Sequence, residues 1–405
     1  MINFRLSFKK NRKIGILIQV FVLLISVFWI SGCQQFKTRD FSVSDAEHYP
    51  SRFGGKVKNV IFFIGDGMGL AQIAAARIDT LGVKEHLNLE RLPVTGLVNT
   101  YSADKLITDS AAAATALSTG YKTDNGMIGE LPDGRKLYTI LEAARDKGMK
   151  IGLVVTSTIT HATPAGFASH VKSRSSEDLI AVQLLNNRVN VLFGGGKKFF
   201  IPQSEPLSGR KDELNLIEKA KEMGYKFIET KEELKSVKGD YVLGLFENSY
   251  LDTTSLEPSL AEMTAKAIEL LSDDPDGFFL MVEGSQIDWA GHKNSPVYMT
   301  RQLVLFDEAV KVGMDYALKD KKTLVLITAD HETGGLTING GTLNGEKLEL
   351  NWSTFYHTGV PVPLFAFGPN ALKFTGLQDN TEIPRKISSL IGLPNFPQKL
   401  NPRAE

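Results

Sequence analysis

Short, uninterrupted apolar runs that alternate with helix-patterned segments constrain this chain more than any other feature. VIFFI (Val60–Ile64), IGLVV (Ile151–Val155), VNVLF (Val189–Phe193), FFLMV (Phe278–Val282) and TLVLITA (Thr323–Ala329) are rich in β-branched and aromatic residues. Runs of this length without polar alternation fit strands buried on both faces. Between them, Leu137–Lys147, Leu179–Asn186, Leu260–Leu271 and Arg301–Leu318 carry helical patterns. Strands separated by helices imply a parallel sheet, because each crossover has to return the chain to the same edge. The sequence therefore predicts an α/β fold: one large, doubly wound, mostly parallel sheet with helices on both faces. Gly209–Gly239 reads as a helix, a short strand and a second helix in the same scheme. Thr337–Tyr356, rich in Gly and Asn, reads as an inserted hairpin or surface excursion.

The N-terminus belongs to a different class. Arg5, Lys9, Lys10, Arg12 and Lys13 precede an almost wholly apolar run, Ile14–Ile30, and then come Ser31, Gly32 and Cys33. A basic head, an apolar middle and small residues at a cut site describe a secretory signal. A small pair directly before Cys resembles the bacterial lipobox, in which the Cys becomes the lipidated first residue. A plain transmembrane anchor ending near Cys33 is the competing reading. Both place the body of the protein outside the cytoplasm on a membrane. The expected organisation is a signal at 1–32, a polar tether at 33–56 and a catalytic domain at 57–405.

The whole chain balances 46 Lys and Arg against 46 Asp and Glu, so its charge gives no argument for a nucleic-acid partner. Loss of residues 1–32 removes five basic residues and no acidic one, leaving a net charge of −5. Cys33 is the single cysteine, so no internal disulfide can form. The fold has to rest on its core and on any metal it binds.

Ligands of open parallel sheets bind beyond the carboxyl ends of the strands. Asp66 follows the first run, His161 and Thr163 the second, Glu283 with Asp288 and His292 the fourth, and Asp330 with His331 the fifth. Any one of these alone reads as a turn former or helix cap. Together, four strands deliver carboxylates and imidazoles to one edge, which suits a multinuclear metal site. Asp288 and His292, at i and i+4, share one helical face. Ser110 opens an alanine-rich run behind Thr108 or Asp109 as N-cap. A helix N-terminus of this kind favours an anion.

These segments carry a resemblance. GDGMG (Gly65–Gly69), DSAAAATALSTG (Asp109–Gly120), HATPAG (His161–Gly166), EGSQIDWAGH (Glu283–His292), TADHETGG (Thr328–Gly335) and YHTG (Tyr356–Gly359) resemble, in order, the motifs of the alkaline phosphatases. The resemblance implies hydrolysis of phosphate monoesters through a phosphoserine at Ser110, with two zinc ions and one magnesium ion. It assigns Asp288, His292 and His357 to one zinc, and Asp66, Asp330 and His331 to the other. Asp66, Thr163 and Glu283 fall to magnesium, with His161 beside them where some members carry Asp. Arg174 matches the arginine that grips phosphate oxygens. Trp289 stands at a position that is basic in some members, and the short span from His331 to His357 leaves no room for a large accessory domain. A phosphodiesterase or sulfatase on the same scaffold is the alternative. Family members often form homodimers, and no interface is legible in this sequence.

Overall fold

The continuous apolar runs become strands in the computed structural model, which describes residues 54–253 and 257–400. The strands are β1 (Asn59–Gly65), β2 (Val94–Asn99), β3 (Lys150–Thr158), β4 (Val191–Gly195), β5 (Lys226–Ile228), β6 (Val242–Leu245) and β7 (Phe278–Gly284). They continue with β8 (Thr323–Thr328), β9 (Glu332–Thr333), β10 (Leu336–Gly340), β11 (Glu349–Trp352), β12 (His357–Thr358), β13 (Val362–Phe367) and β14 (Gly376–Asp379). The helices are α1 (Leu70–Leu81), α2 (Ser110–Thr119), α3 (Ile140–Asp146), α4 (Ala162–Ala168), α5 (Glu177–Asn186) and α6 (Leu216–Glu222). After these come α7 (Lys231–Ser236), α8 (Leu260–Leu271), α9 (Gln286–His292), α10 (Pro296–Asp320) and α11 (Glu382–Ile391).

Ten strands form one sheet in the order β14-β2-β13-β8-β1-β7-β3-β4-β6-β5. All run parallel except β13, which is antiparallel to both β2 and β8. Two layers of helices cover the sheet, and neighbouring residues of β1 show why. Side chains alternate across a strand, so Phe62 and Phe63 face opposite sides. Phe62 meets Phe167 of α4 edge-on at 6.2 Å, and Phe63 meets Phe306 of α10 at 6.0 Å. Every residue of β1, β7 and β8 is buried, as strands covered on both faces must be. The expected mostly parallel, doubly wound sheet is what forms.

Local expectations fare similarly. The 209–239 segment holds α6, β5 and α7. The 337–356 excursion is the antiparallel β10–β11 hairpin. The strand expected at 189–193 lies two residues later, at Val191–Gly195. Sequence reading missed β2, whose burial alternates along its length instead of forming a continuous apolar run. Among the described residues no helix is long and apolar enough to cross a membrane. The signal, Cys33 and nearly all of the tether lie outside the described residues.

Register sets the functional edge. Ile64 of β1 pairs with Glu283 of β7 and with Thr328 of β8, while Val155 of β3 also pairs with Glu283. The adjacent strands β8, β1, β7 and β3 thus end level, and the residues after them emerge side by side.

Candidate active site

Asp66 leaves β1 into a turn at Gly67, whose φ of +76° suits glycine. A Cβ there would lie 2.7 Å from the Asp288 Cα, so the missing side chain lets this turn sit directly against α9. The Gly67 amide donates to Asp330 Oδ1 at 3.1 Å, and the His331 amide donates to the same oxygen at 2.9 Å. Asp330 Oδ1 is satisfied, while the buried Oδ2 has no hydrogen-bond partner.

That pattern recurs across the edge. Both oxygens of Asp66, Oε1 of Glu283, Oγ1 of Thr163 and Nδ1 of His161 are buried without a hydrogen bond. The other Glu283 oxygen, Oε2, accepts from Ser285 at 2.7 Å. An unpaired buried polar atom ordinarily costs about 1–3 kcal/mol, more when charged. These orphaned atoms are concentrated at the strand ends, on residues whose chemistry suits metal ligation.

The imidazoles repeat the message through their tautomers. His357 Nδ1 lies 2.8 Å from the Thr108 carbonyl and His292 Nδ1 lies 2.6 Å from the Phe355 carbonyl. A carbonyl can only accept, so both Nδ1 atoms carry hydrogen and both neutral rings turn an Nε2 lone pair inward. The two Nε2 atoms are 3.2 Å apart, and each lies near Asp288 Oδ1, at 3.5 Å for His357 and 3.3 Å for His292. Facing lone pairs beside a carboxylate are repulsive until a proton or a metal cation lies between them. His331 is set by Thr333, whose hydroxyl donates to Asp288 Oδ1 at 2.5 Å and so accepts from His331 Nδ1 at 3.2 Å. His331 Nε2 then faces Asp330 Oδ2 at 3.2 Å, Asp66 Oδ1 at 3.6 Å and Ser110 Oγ at 3.3 Å.

Among the described residues three groups have ligand atoms close enough to hold one ion each: Asp66–Asp330–His331, Asp66–His161–Glu283 and Asp288–His331–His357. The first coincides with one expected zinc set. The second adds His161 to the expected magnesium residues. The third has His331 alongside Asp288 and His357, with His292 at the distances just given. The electrostatics agree with a cation-binding role. Burial pushes Glu283 up to about 7 and Asp330 up to about 6. Asp66 is raised well above the usual carboxylate range by burial, then by Asp330, Asp288 and Glu283. Burial holds His331 and His357 down at about 4 and His161 at about 3. Burial alone would raise Asp288, yet the adjoining His292, which would bond it once protonated, and the nearby His331 and His357 hold it below its ordinary value. Asp66, Glu283 and Asp330 thus resist ionising while His161, His331 and His357 stay neutral, whereas His292, raised by Asp288, is the exception. Divalent cations would satisfy such a donor set.

Ser110 is the first residue of α2. Asp109 is the N-cap, its Oδ1 accepting from the Ala112 amide at 3.0 Å. Its Oδ2 accepts from the Gly126 amide at 3.0 Å and from Arg174 Nη1 at 3.2 Å. Arg174 Nη2 lies 3.2 Å from His161 Nε2, which joins the guanidinium to the edge that carries the candidate ligands. The Trp289 ring stands 6.2 Å from His161 and 4.8 Å from Tyr250.

Sequence reasoning missed three supporting residues. Asp109 was legible as a cap but not as the group that holds Arg174. Thr333 fixes the His331 tautomer. Glu332 accepts from Gln72 at 2.5 Å and from Thr358, binding α1 and β12 to the edge. Both Glu332 and Thr333 lie inside TADHETGG, the one signal that could have found them.

Comparison with known proteins agrees. The alkaline phosphatase family model matches residues 57–350. Alkaline phosphatase 3 of Bacillus subtilis (strain 168) is 36% identical, over 85% of this chain and 92% of its own. The solved alkaline phosphatase of the Antarctic bacterium TAB5 superposes with a TM-score of 0.77 at 34% identity, covering 84% of this chain and 99% of that one. A His-to-Asp variant of the TAB5 enzyme, described with Mg bound in its M3 site, gives 0.76 at the same identity and coverage. The chain belongs to the alkaline phosphatase family, enzymes that hydrolyse phosphate monoesters.

Proposed function

We propose that the protein hydrolyses phosphate monoesters in two steps, with Ser110 carrying the phosphoryl group between them. The observation that carries this reading is the position of Ser110 Oγ. It sits at a helix N-terminus, 3.3 Å from His331 Nε2, beside buried carboxylates whose oxygens lack partners. The donor sets suit two zinc ions at the sites with imidazoles and magnesium near Asp66, Thr163 and Glu283, with His161 adjoining. What the ions supply when bound is Lewis-acid stabilisation of negative charge on the attacking and departing oxygens.

The chain's own residues do the rest. Ser110 Oγ gives up its proton and attacks phosphorus as the ester oxygen departs with its electron pair and takes up a proton to leave as the alcohol. Water then breaks the serine–phosphate bond and regenerates the hydroxyl. The unpaired amides at the start of α2 face the phosphoryl oxygens. Arg174, half-exposed and held from behind by Asp109, offers a planar fork to two of those oxygens, which lysine could not match. The N-terminal sequence further supports export and anchoring through lipid on Cys33.

The test is Ser110→Ala, read by intact-mass trapping of phosphoenzyme and by turnover of a monoester, a diester and a sulfate ester. The variant is expected to lose the phosphoenzyme and at least a hundredfold of monoester turnover while keeping its metal content. Phosphate trapped on another residue, or a diester or sulfate ester preferred by the wild type, would overturn the reading.

A further inference from the structure

The end of the sheet remote from Ser110 carries a different chemistry. Lys58 immediately precedes β1, Lys321 and Lys322 precede β8, and Lys147 caps the end of α3 ahead of β3. With Lys56 and Asp276 they line a cavity of about 560 Å³. β1 has seven residues, so at about 3.3 Å per residue this end lies roughly 20 Å from Asp66. None of these five lysines is in an ion pair among the described residues. Lys58 Nζ donates to the Asp274 carbonyl at 2.8 Å and Lys147 Nζ to the Ile391 carbonyl, contacts that neutralise no charge. Lys56, Lys321 and Lys322 are exposed. Two other carboxylates adjoin these lysines in sequence. Asp146 is paired with Arg145, and Asp320, bonded to the Lys322 amide, Thr323 and Asn59, keeps its charge, so five ammonium groups outnumber Asp276 and Asp320. This is not a whole-chain trend, because the chain without residues 1–32 has a net charge of −5.

We propose that this lysine-lined end is a docking face for an anionic membrane surface. The inference rests on the reading of Cys33 as a lipid anchor. Gly55 lines the same cavity, and residues 34–53 lead back from it to Cys33. The chain therefore departs toward its anchor from this end of the domain, on twenty residues that span at most about 70 Å. Once the anchor is engaged, each lysine contact with the surface is intramolecular, and weak contacts accumulate. Five separate ammonium groups around a rim, without a guanidinium fork, suit a diffuse negative surface better than one small anion. Docking this way would turn Ser110 toward the aqueous side.

The experiment uses the mature, lipidated protein beginning at Cys33 on vesicles of phosphatidylcholine alone or of phosphatidylcholine with phosphatidylglycerol. Sedimentation reports binding, and a membrane-impermeant acylating reagent with peptide mass spectrometry reports lysine access. Lys56, Lys321 and Lys322 are expected to react at least threefold more slowly on the anionic vesicles, with protection lost in 0.5 M salt, since the screening length falls well below 10 Å. Lys105, near Ser110 in sequence, is the internal control and should react equally on both. Lys321→Glu/Lys322→Glu should abolish the protection of Lys56 while leaving monoester turnover unchanged. Equal labelling on both vesicle types, with the protein bound to both, overturns the docking face and leaves the anchor standing. Protein left in the supernatant with both compositions overturns anchor and face together. Protection of the same lysines by millimolar inorganic phosphate in detergent assigns the cavity to a free anion and also overturns the proposal.

Discussion

Replacing Asp109 tests how the nucleophile and its arginine are held. Asp109→Ala removes the α2 cap to Ala112 and the acceptor shared by Gly126 and Arg174. Loss of an N-cap costs about 1 kcal/mol. Loss of a hydrogen bond to a charged acceptor costs about 1.5–3 kcal/mol, and the lower end applies because the Arg174 side chain is 28% exposed. The total is about 2.5 kcal/mol. At roughly 2.1 cal/mol/K per residue the unfolding entropy is near 0.7 kcal/mol/K for the 349 residues of 57–405, so Tm should fall by about 3–4 °C. Asp109→Asn keeps one oxygen for the cap but turns an NH₂ toward the Gly126 and Arg174 donors. It should lose roughly 2 kcal/mol and about 2–3 °C. Both variants free Arg174 on one side, so both should raise KM for a chromogenic aryl phosphate severalfold. Calorimetry with saturating metal and steady-state kinetics supply the readings. An alanine variant that melts within 1 °C of wild type with unchanged KM would show that Asp109 holds neither the helix nor the arginine.

Other outcomes follow from different parts of the molecule. Cys33→Ser should leave uncleaved, unlipidated precursor with normal turnover, and an unmodified Cys33 in the mass spectrum of the wild-type protein would refute the anchor. His170 bonds Glu142 at 3.0 Å, and neither residue belongs to a potential metal group. Burial pulls the imidazole down, but the bond to Glu142 more than offsets it and holds His170 above 6.5. Burial likewise opposes ionised Glu142, which the His170 bond holds below 4.5. The histidine's stabilising contribution is complete below pH 6.5 and lost as pH rises through its folded value. The glutamate's is present above pH 4.5 and lost as pH falls through its own. The Tm difference between wild type and His170→Gln should therefore be larger at pH 6 than at pH 9, and a constant gap would refute the pairing.

Much of the fold was legible because β1, β7 and β8 are buried on both faces and their sequences record it as unbroken apolar runs. Strand direction is not written in such runs. VPLFAF (Val362–Phe367) resembles the parallel strands in composition, yet β13 runs the other way. The reason is topological. His357 is held at the carboxyl edge by the Thr108 carbonyl, five residues before β13 begins, so a strand starting there has to run away from the site. Treating His357 as a ligand at that edge already implied the reversal. The ligand candidates were legible because carboxylates and imidazoles cluster after strands. The residues that aim them were not. Thr333 and Asp109 look like ordinary turn and cap residues until their partners, 45 and 65 positions away, are brought alongside.

Asp66 shows how the same residues that suit metal binding burden the fold without it. It belongs to two of the three potential metal groups, and both its oxygens are buried without a hydrogen bond. Asp330, Asp288 and Glu283 crowd it with like charge. The Arg174 charge offsets this only in part, and the single cysteine excludes an internal disulfide as compensation. Asp66→Asn should therefore have opposite effects in two conditions. With chelator present, removing an uncompensated buried charge should stabilise the protein by on the order of 1–3 kcal/mol, or about 1–4 °C in Tm. With saturating zinc and magnesium, the weaker amide ligand should reduce the metal-dependent gain in Tm, because stabilisation by a ligand follows its affinity for the folded state. The two melting curves should thus cross between conditions, with the variant higher in chelator and lower in metal. Melting points in chelator and in metal, together with bound-metal stoichiometry, check both halves. A variant less stable than wild type in chelator as well would mean that Asp66 contributes favourable contacts of its own, and the account of the orphaned carboxylates as metal ligands would fail at this position.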